Sequence, residues 1–225
     1  MVVYVVVAII AYLIGSLNIS IFISKKLAGF DVREKGSKST GATNVLRTVG
    51  KKAAAITLIF DALKGVISIV IAIIIGKYFK NANPTILIEI GAFFAVLGHT
   101  FPIYYGFKGG KGVATSLGII LVVNYKIGLI CLVFALLLMA ITKMVSLGSI
   151  SAAVLFAVLT VFIRDSYIVD FEFSFIIFGF LMATIVIFNH RTNLKRILTG
   201  TENKLNFNKK TEDNKSYDDE KNNKV

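Results

Sequence analysis

The 225-residue chain contains no tryptophan, two prolines, two histidines and one cysteine. A single cysteine excludes an intramolecular disulfide, and two histidines with scattered carboxylates form no cluster with the spacing of metal ligands. Charged residues make up 17% of the sequence, against about 25% in a typical soluble domain. These shortages predict a protein without a disulfide framework, without a metal centre or other cofactor, and outside the class of water-soluble domains.

Apolar residues are abundant instead, at 56% of the chain, and they are concentrated in long runs. Runs of about 20 apolar residues are typical of membrane-spanning helices. Runs with few or no charges occupy residues 2–23, 53–76, 86–98, 127–141, 145–163 and 173–188. The first run has no basic residue before Tyr12 and no small-residue cleavage site, so it predicts a retained span and not a secretory signal. The sequence therefore predicts an all-α, polytopic helical bundle in a membrane.

Lysine and arginine predict which helix ends face the cytoplasm. The formal net charge is +12, and many of the basic residues lie in the connection 24–52. By the positive-inside rule that connection is cytoplasmic, which places the N-terminus outside. Segment 112–142 allows two interpretations. A turn at Asn124–Lys126 gives seven spans, the fourth of them short or tilted, and a cytoplasmic C-terminus. One continuous helix gives six spans and puts His190 outside, so the charge rule favours seven.

The end of the chain differs in composition from everything before it. Residues 203–225 are largely Lys, Asn, Asp and Glu, with almost no apolar side chains and with charges that nearly cancel. Such a segment cannot bury enough apolar surface to fold. We therefore assign residues 1–202 to one membrane-embedded domain and residues 203–225 to a disordered cytoplasmic tail.

Three polar segments interrupt the apolar runs, and the first spans Asp31–Lys52. Glycines that permit unusual backbone torsions alternate there with short hydrogen-bonding side chains and basic residues. The residues concerned are Gly36, Ser37, Ser39, Thr40, Gly41, Thr43, Asn44 and Arg47. Backbone N–H groups, hydroxyls and a guanidinium suit a phosphate, and a helical backbone would bring Arg47 onto the same face as Asn44. The alternative is an interfacial loop whose cations contact anionic lipid head groups.

The second polar segment begins near His99 and continues into the glycine-rich sequence 106–112. A glycine-rich turn that leads into a helix presents N–H groups and a positive dipole end to an anion. Lys111 adds a full charge directly after Gly109 and Gly110. The sequence differs from a nucleotide-binding P-loop, because a glycine follows Lys111 and no glycine stands five residues before Gly110. We predict an anion site here, while His99 also fits a satisfied histidine at a helix end.

The third polar segment follows the last apolar run and contains His190, Arg191 and Asn193. Its basic residues also fit the common basic stop after a final span. Ser149 places a hydroxyl at another helix end on the same side, although small residues at helix contacts are an alternative explanation. Glu202 either joins this group or tethers nearby Arg and Lys side chains.

Asp61 and Lys64 lie three residues apart inside the second apolar run. Charges at membrane depth are costly, and they usually pair with one another or face a site. The spacing therefore allows either an ion pair along one helix or support of the first polar segment.

Familiar catalytic arrangements are missing from the sequence. Many membrane acyltransferases use a histidine followed by an aspartate after four residues, but Tyr104 and Lys195 stand in that place after the two histidines here. A Ser–His–Asp arrangement would need an acid brought in by folding, and no spacing indicates one.

Taken together, the polar segments resemble the bacterial acyl-phosphate:glycerol-3-phosphate acyltransferases, which are small polytopic enzymes of phospholipid synthesis. The resemblance extends from Gly15 to about Lys204. It rests on Gly41–Arg47, Asp61–Gly65, Gly109–Thr115 and His190–Asn193. In one respect the chain departs from the family pattern, because Ser39 stands where the family usually has asparagine. A hydroxyl there lacks the paired donor and acceptor of an amide.

The resemblance implies transfer of a fatty acyl group from acyl phosphate to the 1-hydroxyl of sn-glycerol 3-phosphate, giving 1-acyl-glycerol 3-phosphate and phosphate. It implies a bacterial cytoplasmic membrane, an active site facing the cytoplasm, and no nucleic-acid partner. The catalytic residues it implies are Ser37, Arg47, Lys111 and His190. The substrate-binding residues it implies are Gly41, Thr43, Asn44, Gly109, Gly110, Ser149, Arg191 and Asn193.

Two other classes of function fit parts of the pattern. A membrane transporter for a small phosphate-bearing anion would also need a cationic pocket, but its site typically lies near the bilayer midplane. A head-group phosphotransferase typically needs clustered metal-binding aspartates, which the sequence lacks.

Overall fold

The computed structural model of the protein describes residues 1–163 and 173–205. Over these residues the chain forms α-helices and two short 3-10 turns, without a β-strand. The helices are α1 Val2–Gly15, α2 Ile19–Ala28, α3 Ala42–Thr48, α4 Lys51–Tyr78, α5 Pro84–Thr100, α6 Val113–Val123, α7 Tyr125–Thr142, α8 Val145–Phe162, α9 Phe173–Asn189 and α10 Arg191–Leu198. The all-α prediction is confirmed. From residue 206 onward, the predicted tail lies outside the described residues.

Among the described residues, five helical segments are long and apolar enough to cross a membrane. The qualifying segments are Val2–Ala28, Lys51–Tyr78, Pro84–Tyr105, Tyr125–Thr142 and Val145–Phe162. Helices α9 and α10 form a further candidate that is bent by 65°. With 11 residues, α6 is the short member, since an α-helix rises about 1.5 Å per residue and a bilayer core is about 30 Å thick. The protein is therefore a multi-pass helical membrane protein.

Asparagine side chains explain where two of the helices begin. Asn83 accepts a hydrogen bond from the Ile86 N–H at 3.2 Å, and Pro84 occupies the first helical position of α5. In the same way, Asn124 accepts from the Ile127 N–H at 3.1 Å and caps α7. The predicted break in segment 112–142 is therefore present at Asn124.

Several connections meet at one end of the bundle, which we call the loop end. It contains the chain between α2 and α4, the turn 101–112, the turn 143–144 and the residues after α9. The Leu205 N–H donates to the Lys143 carbonyl at 2.7 Å, which joins two of these connections. Because the turns before α6 and after α7 both lie here, α6 leads away from the loop end and α7 returns to it. At the opposite end, the Asn83 N–H donates to the Tyr4 hydroxyl at 2.9 Å.

Glycines allow two pairs of helices to approach closely. A Cβ added at Gly65 would lie 2.5 Å from the Thr115 carbonyl oxygen, and one at Gly118 would collide with Ala62, so α4 and α6 meet backbone to backbone. Gly15 and Gly98 serve the same purpose between α1 and α5. Small residues at such contacts are a main source of helix association in membranes.

A charged pair inside α4 supplies a hydrogen-bond donor to the first membrane segment at the point where its helix is interrupted. Lys64 Nζ lies 2.9 Å from Asp61 Oδ1, and both side chains are buried. The same ammonium donates to the Leu17 carbonyl at 3.0 Å, between α1 and α2, where the helical hydrogen bonds are interrupted. A freed carbonyl in an apolar environment requires such a donor. The ion-pair interpretation of Asp61 and Lys64 is thus confirmed.

Substitution of Gly65 by alanine should destabilise the protein, because the new methyl group meets backbone atoms of α6. We expect a loss of about 1–3 kcal/mol, as in other overpacked cores, measured as a lower thermal unfolding temperature in detergent. Gly76→Ala is the matched control on the same helix, since its Cβ would meet only Leu87 Cδ1 at 3.4 Å. Equal unfolding temperatures for the two variants would contradict the proposed backbone contact.

Candidate active site

A cavity of about 450 Å³ opens near the loop end and brings the three polar segments together. Its polar wall consists of Ser37, Ser39, Thr43, Asn44, Arg47, Asp61, His99, Lys111, Ser116, Ser146, Ser149, His190, Asn193 and Glu202. Its remaining wall is mainly apolar, and most of its side chains come from α4, α6, α7, α8 and α9. The cavity therefore has one polar, cationic region and one region that resembles a lipid tail in its chemistry.

Asn44 holds the first polar segment in its folded shape. Its side-chain N–H groups donate to the carbonyls of Val32, Lys35 and Ser39 at 2.9, 3.1 and 2.9 Å, and its Oδ1 accepts from the Ser37 N–H at 2.8 Å. Asn44 is buried because it lies on the inner face of α3. The amide therefore acts as a clamp that positions Ser37 at the cavity wall.

The glycine-rich turn differs from the expected anion cradle. The N–H groups of Gly109 and Gly110 donate to the carbonyls of Thr100 and His99, each at 3.1 Å. They pair the turn with the end of α5, so their donors are already used, and these two glycines do not line the cavity. The turn instead projects Lys111 and the first turn of α6 into the wall. The sequence prediction of free N–H donors at Gly109 and Gly110 is therefore corrected.

A chain of hydrogen bonds links Lys111 to the end of the chain. Lys111 Nζ donates to Asn193 Oδ1, whose Nδ2 donates to Glu202 Oε1 at 2.8 Å. Glu202 also accepts from Ser146 Oγ at 2.8 Å and from Arg196 Nε at 2.8 Å. Glu202 thus tethers an arginine, as the sequence allowed, and it ties α8 and α10 to the glycine-rich turn.

Two cations at the cavity lack a carboxylate partner. Arg196 pairs with Glu202 and Lys64 pairs with Asp61. Over the described part of the chain, no carboxylate lies within salt-bridge distance of Arg47 or Lys111. Within the described part of the chain, the hydrogen bond recorded for the Arg47 guanidinium is a long one, donated to the Asn203 carbonyl at 3.4 Å. Buried or half-buried cations without counter-charges favour an anionic ligand.

The environment of Lys111 is also expressed in its pKa. Burial lowers the pKa of the Lys111 ammonium to about 8, and the nearby cations Arg196 and Arg47 add to the effect while Glu202 opposes it. An anion bound beside Lys111 would reverse this shift, because it favours the charged form.

Hydroxyl and imidazole groups complete the polar wall. His190 is buried, and its Nδ1 donates to the Val186 carbonyl at 2.7 Å, which leaves Nε2 as the available ring nitrogen. Ser149 Oγ donates to the Val145 carbonyl at 2.9 Å and keeps its lone pairs for a ligand. Ser116 Oγ is buried without a hydrogen-bond partner and lines the cavity. Ser116 was not among the predicted site residues, although its place just after the glycine-rich turn was a usable signal.

Most of the predicted site residues meet at this cavity. Ser37, Gly41, Thr43, Asn44, Arg47, Lys111, Ser149, His190 and Asn193 all line it. Arg191 does not; it is exposed, lies over the Phe188 ring at 4.7 Å and donates to the Phe188 carbonyl at 3.3 Å. Ser39 also lines the cavity, and its Oγ accepts from the Gly41 N–H at 3.4 Å. The hydroxyl thus keeps an acceptor role in the loop.

Apolar residues form the other region of the cavity. Ile120, Cys131, Phe156 and Met182 line it, and each is at most 8% exposed. Phe156 is supported from behind by Phe178, whose ring lies edge-on at 6.3 Å. An elongated apolar group attached to an anion would match both regions at once.

Fold and site together define a multi-pass helical membrane protein with a cavity for an amphiphilic anion. The family described as glycerol-3-phosphate acyltransferase matches residues 5–200. Similar proteins include the glycerol-3-phosphate acyltransferases of Clostridioides difficile strain 630 and of Thermoanaerobacter sp. strain X514. They are 41% and 42% identical to this chain over 90% and 89% of its length, and 95% of each relative is covered. The chain therefore belongs to the glycerol-3-phosphate acyltransferase family.

Solved structures of the same family share the fold. The crystal structure of PlsY (YgiH), an integral membrane glycerol 3-phosphate acyltransferase, in its glycerol 3-phosphate form has 35% sequence identity and a TM-score of 0.77. The comparison covers 90% of this chain and 96% of that one. The lysophosphatidic acid form has 33% identity and a TM-score of 0.75, with 90% and 95% covered.

Phosphate binding should weaken as the pH rises above the Lys111 pKa of about 8, because the free amine loses its charge. Lys111→Arg should remove this alkaline decline, since a guanidinium stays protonated over the range. The measurement is equilibrium binding of inorganic phosphate to the detergent-solubilised protein between about pH 7 and pH 9.5, where arginine keeps its charge. Wild-type affinity that stays constant over this range would contradict the assigned role of Lys111.

Proposed function

We propose that the protein transfers a fatty acyl group from acyl phosphate to the 1-hydroxyl of sn-glycerol 3-phosphate, an early step of phospholipid synthesis. The observation that carries this proposal is one shared cavity in which Arg47 and Lys111, two cations without a carboxylate partner among the described residues, lie next to an apolar region. An acyl phosphate has both features, since its phosphate is anionic and its chain is apolar. Glycerol 3-phosphate supplies the second phosphate and the hydroxyl that attacks.

The reaction needs positioning more than a strong catalytic base. The 1-hydroxyl oxygen forms a bond to the acyl carbon, the carbonyl becomes a tetrahedral oxyanion, and the bond from carbon to the phosphate oxygen then breaks. The products are 1-acyl-glycerol 3-phosphate and inorganic phosphate. We assign Ser37, Arg47 and Lys111 to the phosphate groups and the developing oxyanion. Because acyl phosphate is already activated, alignment of the two substrates supplies much of the rate.

The hydroxyl proton has two candidate acceptors. A phosphate oxygen of the substrate can take it directly, which yields hydrogen phosphate as the leaving group. His190 is the other candidate, because its Nδ1 is held by the Val186 carbonyl and its Nε2 is available at the cavity. His190→Ala distinguishes them, since unchanged acyl transfer in that variant would remove the histidine from the mechanism.

For the glycerol 3-phosphate itself we propose binding by Thr43, Ser149 and Asn193, with Gly41 and Asn44 shaping the loop beside it. These residues line the cavity together with the two cations. Gly109 and Gly110 support this site through the shape of their turn. Arg191 is exposed, so we propose that it contributes through the electrostatic field at the loop end and not by direct contact.

We further propose seven membrane crossings in a bacterial cytoplasmic membrane, with the N-terminus outside and the loop end in the cytoplasm. The two-helix arrangement of α6 and α7 supports this topology, because it keeps Lys111, His190 and Lys143 at one end. The basic connection 24–52 lies at the same end and fits the positive-inside rule. The membrane-embedded domain would then comprise residues 1–202.

Transport of a phosphate-bearing anion is the alternative that the sequence left open. The cationic groups lie near one end of the bundle, which favours an interfacial enzyme over a carrier with a central site. Purified protein is supplied with acyl phosphate and labelled glycerol 3-phosphate, and 1-acyl-glycerol 3-phosphate is measured. Absence of product would overturn the proposed activity, and uptake of label into sealed proteoliposomes without acylation would support transport.

Arg47→Ala should lower kcat/KM by about 10- to 100-fold, because a charge-assisted hydrogen bond contributes about 1.5–3 kcal/mol. The measurement is the rate of 1-acyl-glycerol 3-phosphate formation at subsaturating glycerol 3-phosphate. Lys195→Ala is the matched control, since Lys195 is an exposed cation of the loop end that does not line the cavity. Equal rates for the two variants would count against the assigned phosphate site.

The single cysteine offers a direct test of where the acyl chain lies. Cys131 lines the apolar region of the cavity and is 5% exposed. Hexadecanoyl phosphate should slow alkylation of Cys131 by a membrane-permeant maleimide, whereas acetyl phosphate should not, because it has the same head group without a long chain. The extent of labelling is measured by intact-protein mass spectrometry. Equal protection by both acyl phosphates would contradict an acyl chain in this region.

A further inference from the structure

Three buried ionisable side chains form a cluster at the cavity, where two of them line the wall, and none has a part in the proposed chemistry. Asp61 and Lys64 belong to α4, and His99 lies at the end of α5. Lys64 Nζ and His99 Nδ1 approach the same oxygen, Asp61 Oδ1, at 2.9 and 3.4 Å. The histidine lies close to this oxygen without the alignment of a hydrogen bond. All three side chains are at most 5% exposed, so their placement in an apolar bundle is energetically demanding.

One path leads from this cluster to the loops that carry the phosphate-binding groups. Lys64 Nζ donates to Asn18 Oδ1 at 3.4 Å, and Thr40 Oγ1 donates to the same oxygen at 3.5 Å. The Thr40 N–H in turn donates to the Gly109 carbonyl at 3.5 Å. These long contacts connect α4, the first polar segment and the glycine-rich turn in series.

A shorter path runs through His99. Its carbonyl accepts from the Gly110 N–H at 3.1 Å, and its ring packs against Gly110. A Cβ at Gly110 would collide with His99 Nε2 and would lie 2.8 Å from Cε1. The imidazole therefore occupies the space that a side chain at Gly110 would need, and the next residue is Lys111.

We propose that His99, which lies beside the Asp61–Lys64 ion pair, is a positioning residue that packs against Gly110 and thereby sets Lys111 at the substrate phosphate. The role rests on the proposed function, because it presumes that Lys111 binds phosphate. His99 itself is unsuited to act as the base, since Nδ1 faces Asp61 and Nε2 faces Gly110. In this way the buried ion pair, which also satisfies the Leu17 carbonyl, contributes to the placement of a turn that connects two transmembrane helices.

A double-variant cycle tests this contact. Gly110→Ala should raise KM for glycerol 3-phosphate because the methyl group displaces the turn from His99. His99→Ser should also raise KM, because it leaves the turn without support. In the double variant the methyl group enters the space left by the ring. The increase in KM caused by Gly110→Ala should therefore be about 10-fold or more smaller in the His99→Ser background than in the wild-type background, because residues in contact couple strongly.

Gly109→Ala provides the matched control. A Cβ there would collide with the His99 carbonyl and would lie 2.7 Å from Pro102 Cδ, and neither group changes in His99→Ser. Its effect should therefore be the same in both backgrounds. Equal effects of Gly110→Ala in both backgrounds would overturn the proposal. If Gly110→Ala alone does not fold, the yield of monodisperse protein replaces KM as the measured quantity. The double variant should then recover folded protein, and its failure to do so would also overturn the proposal.

A second measurement separates positioning from general loosening of the fold. His99→Ser should raise the pH at which phosphate binding weakens, because a displaced Lys111 is better hydrated and keeps its charge to a higher pH. The groups that face Lys111 are Asn193, Glu202, Arg196, Arg47 and His190, and all are retained in this variant. If phosphate binding weakens at the same pH in His99→Ser and in the wild type, the positioning role is overturned. Inorganic phosphate is the probe, so the test remains valid if the wild-type protein makes no acyl-glycerol phosphate, a result that would overturn only the proposed function.

Discussion

The structure depends on satisfying polar backbone and charge inside an apolar bundle. At Leu17 the first membrane segment breaks, and its freed carbonyl is bonded by Lys64 from the neighbouring helix. Asp61 neutralises that lysine at 2.9 Å, and the pair also reaches the end of α5 through His99. Removal of one partner would leave an uncompensated buried charge, which is far more destabilising than loss of the whole pair. This one requirement joins α1, α2, α4 and α5 at one part of the cavity wall.

Glu202 holds together another part of the cavity wall. One carboxylate receives hydrogen bonds from Ser146, Asn193 and Arg196, and Asn193 passes the connection on to Lys111. Because Glu202 is engaged by these groups, Arg47 and Lys111 remain without a carboxylate among the described residues. The electrostatic result is a cavity that is prepared for anions, and the apolar side chains next to it suit a lipid tail. The site thus lies where a polar region and an apolar region of the cavity meet.

Particular residues illustrate how far the sequence could lead. The apolar runs predicted the long helices, because a span of bilayer length requires them, and Asn124 marked the break that became the cap of α7. Asn44 was predicted as a substrate-binding residue, and its role as a loop clamp became visible only in the structure, although all its partners lie within one segment. The hydrogen bonding of the glycine-rich turn was harder to predict from the sequence. Its N–H groups pair with carbonyls at the end of α5, and no local pattern states which donors a neighbouring helix will occupy.

By itself the sequence determined the class of the protein, the polar segments and the groups that suit phosphate, since hydrophobicity, charge and residue chemistry are properties of the chain. Only the tertiary structure decided that Lys111 meets Asn193, that Arg191 faces away, and that Ser116 and Asp61 reach the cavity wall. These outcomes depend on helix rotation and close packing, as at Gly65 and Gly118, where α4 and α6 touch. Contacts between residues distant in sequence are set by the whole bundle, because each helix orients its polar face against neighbours that the local sequence does not specify.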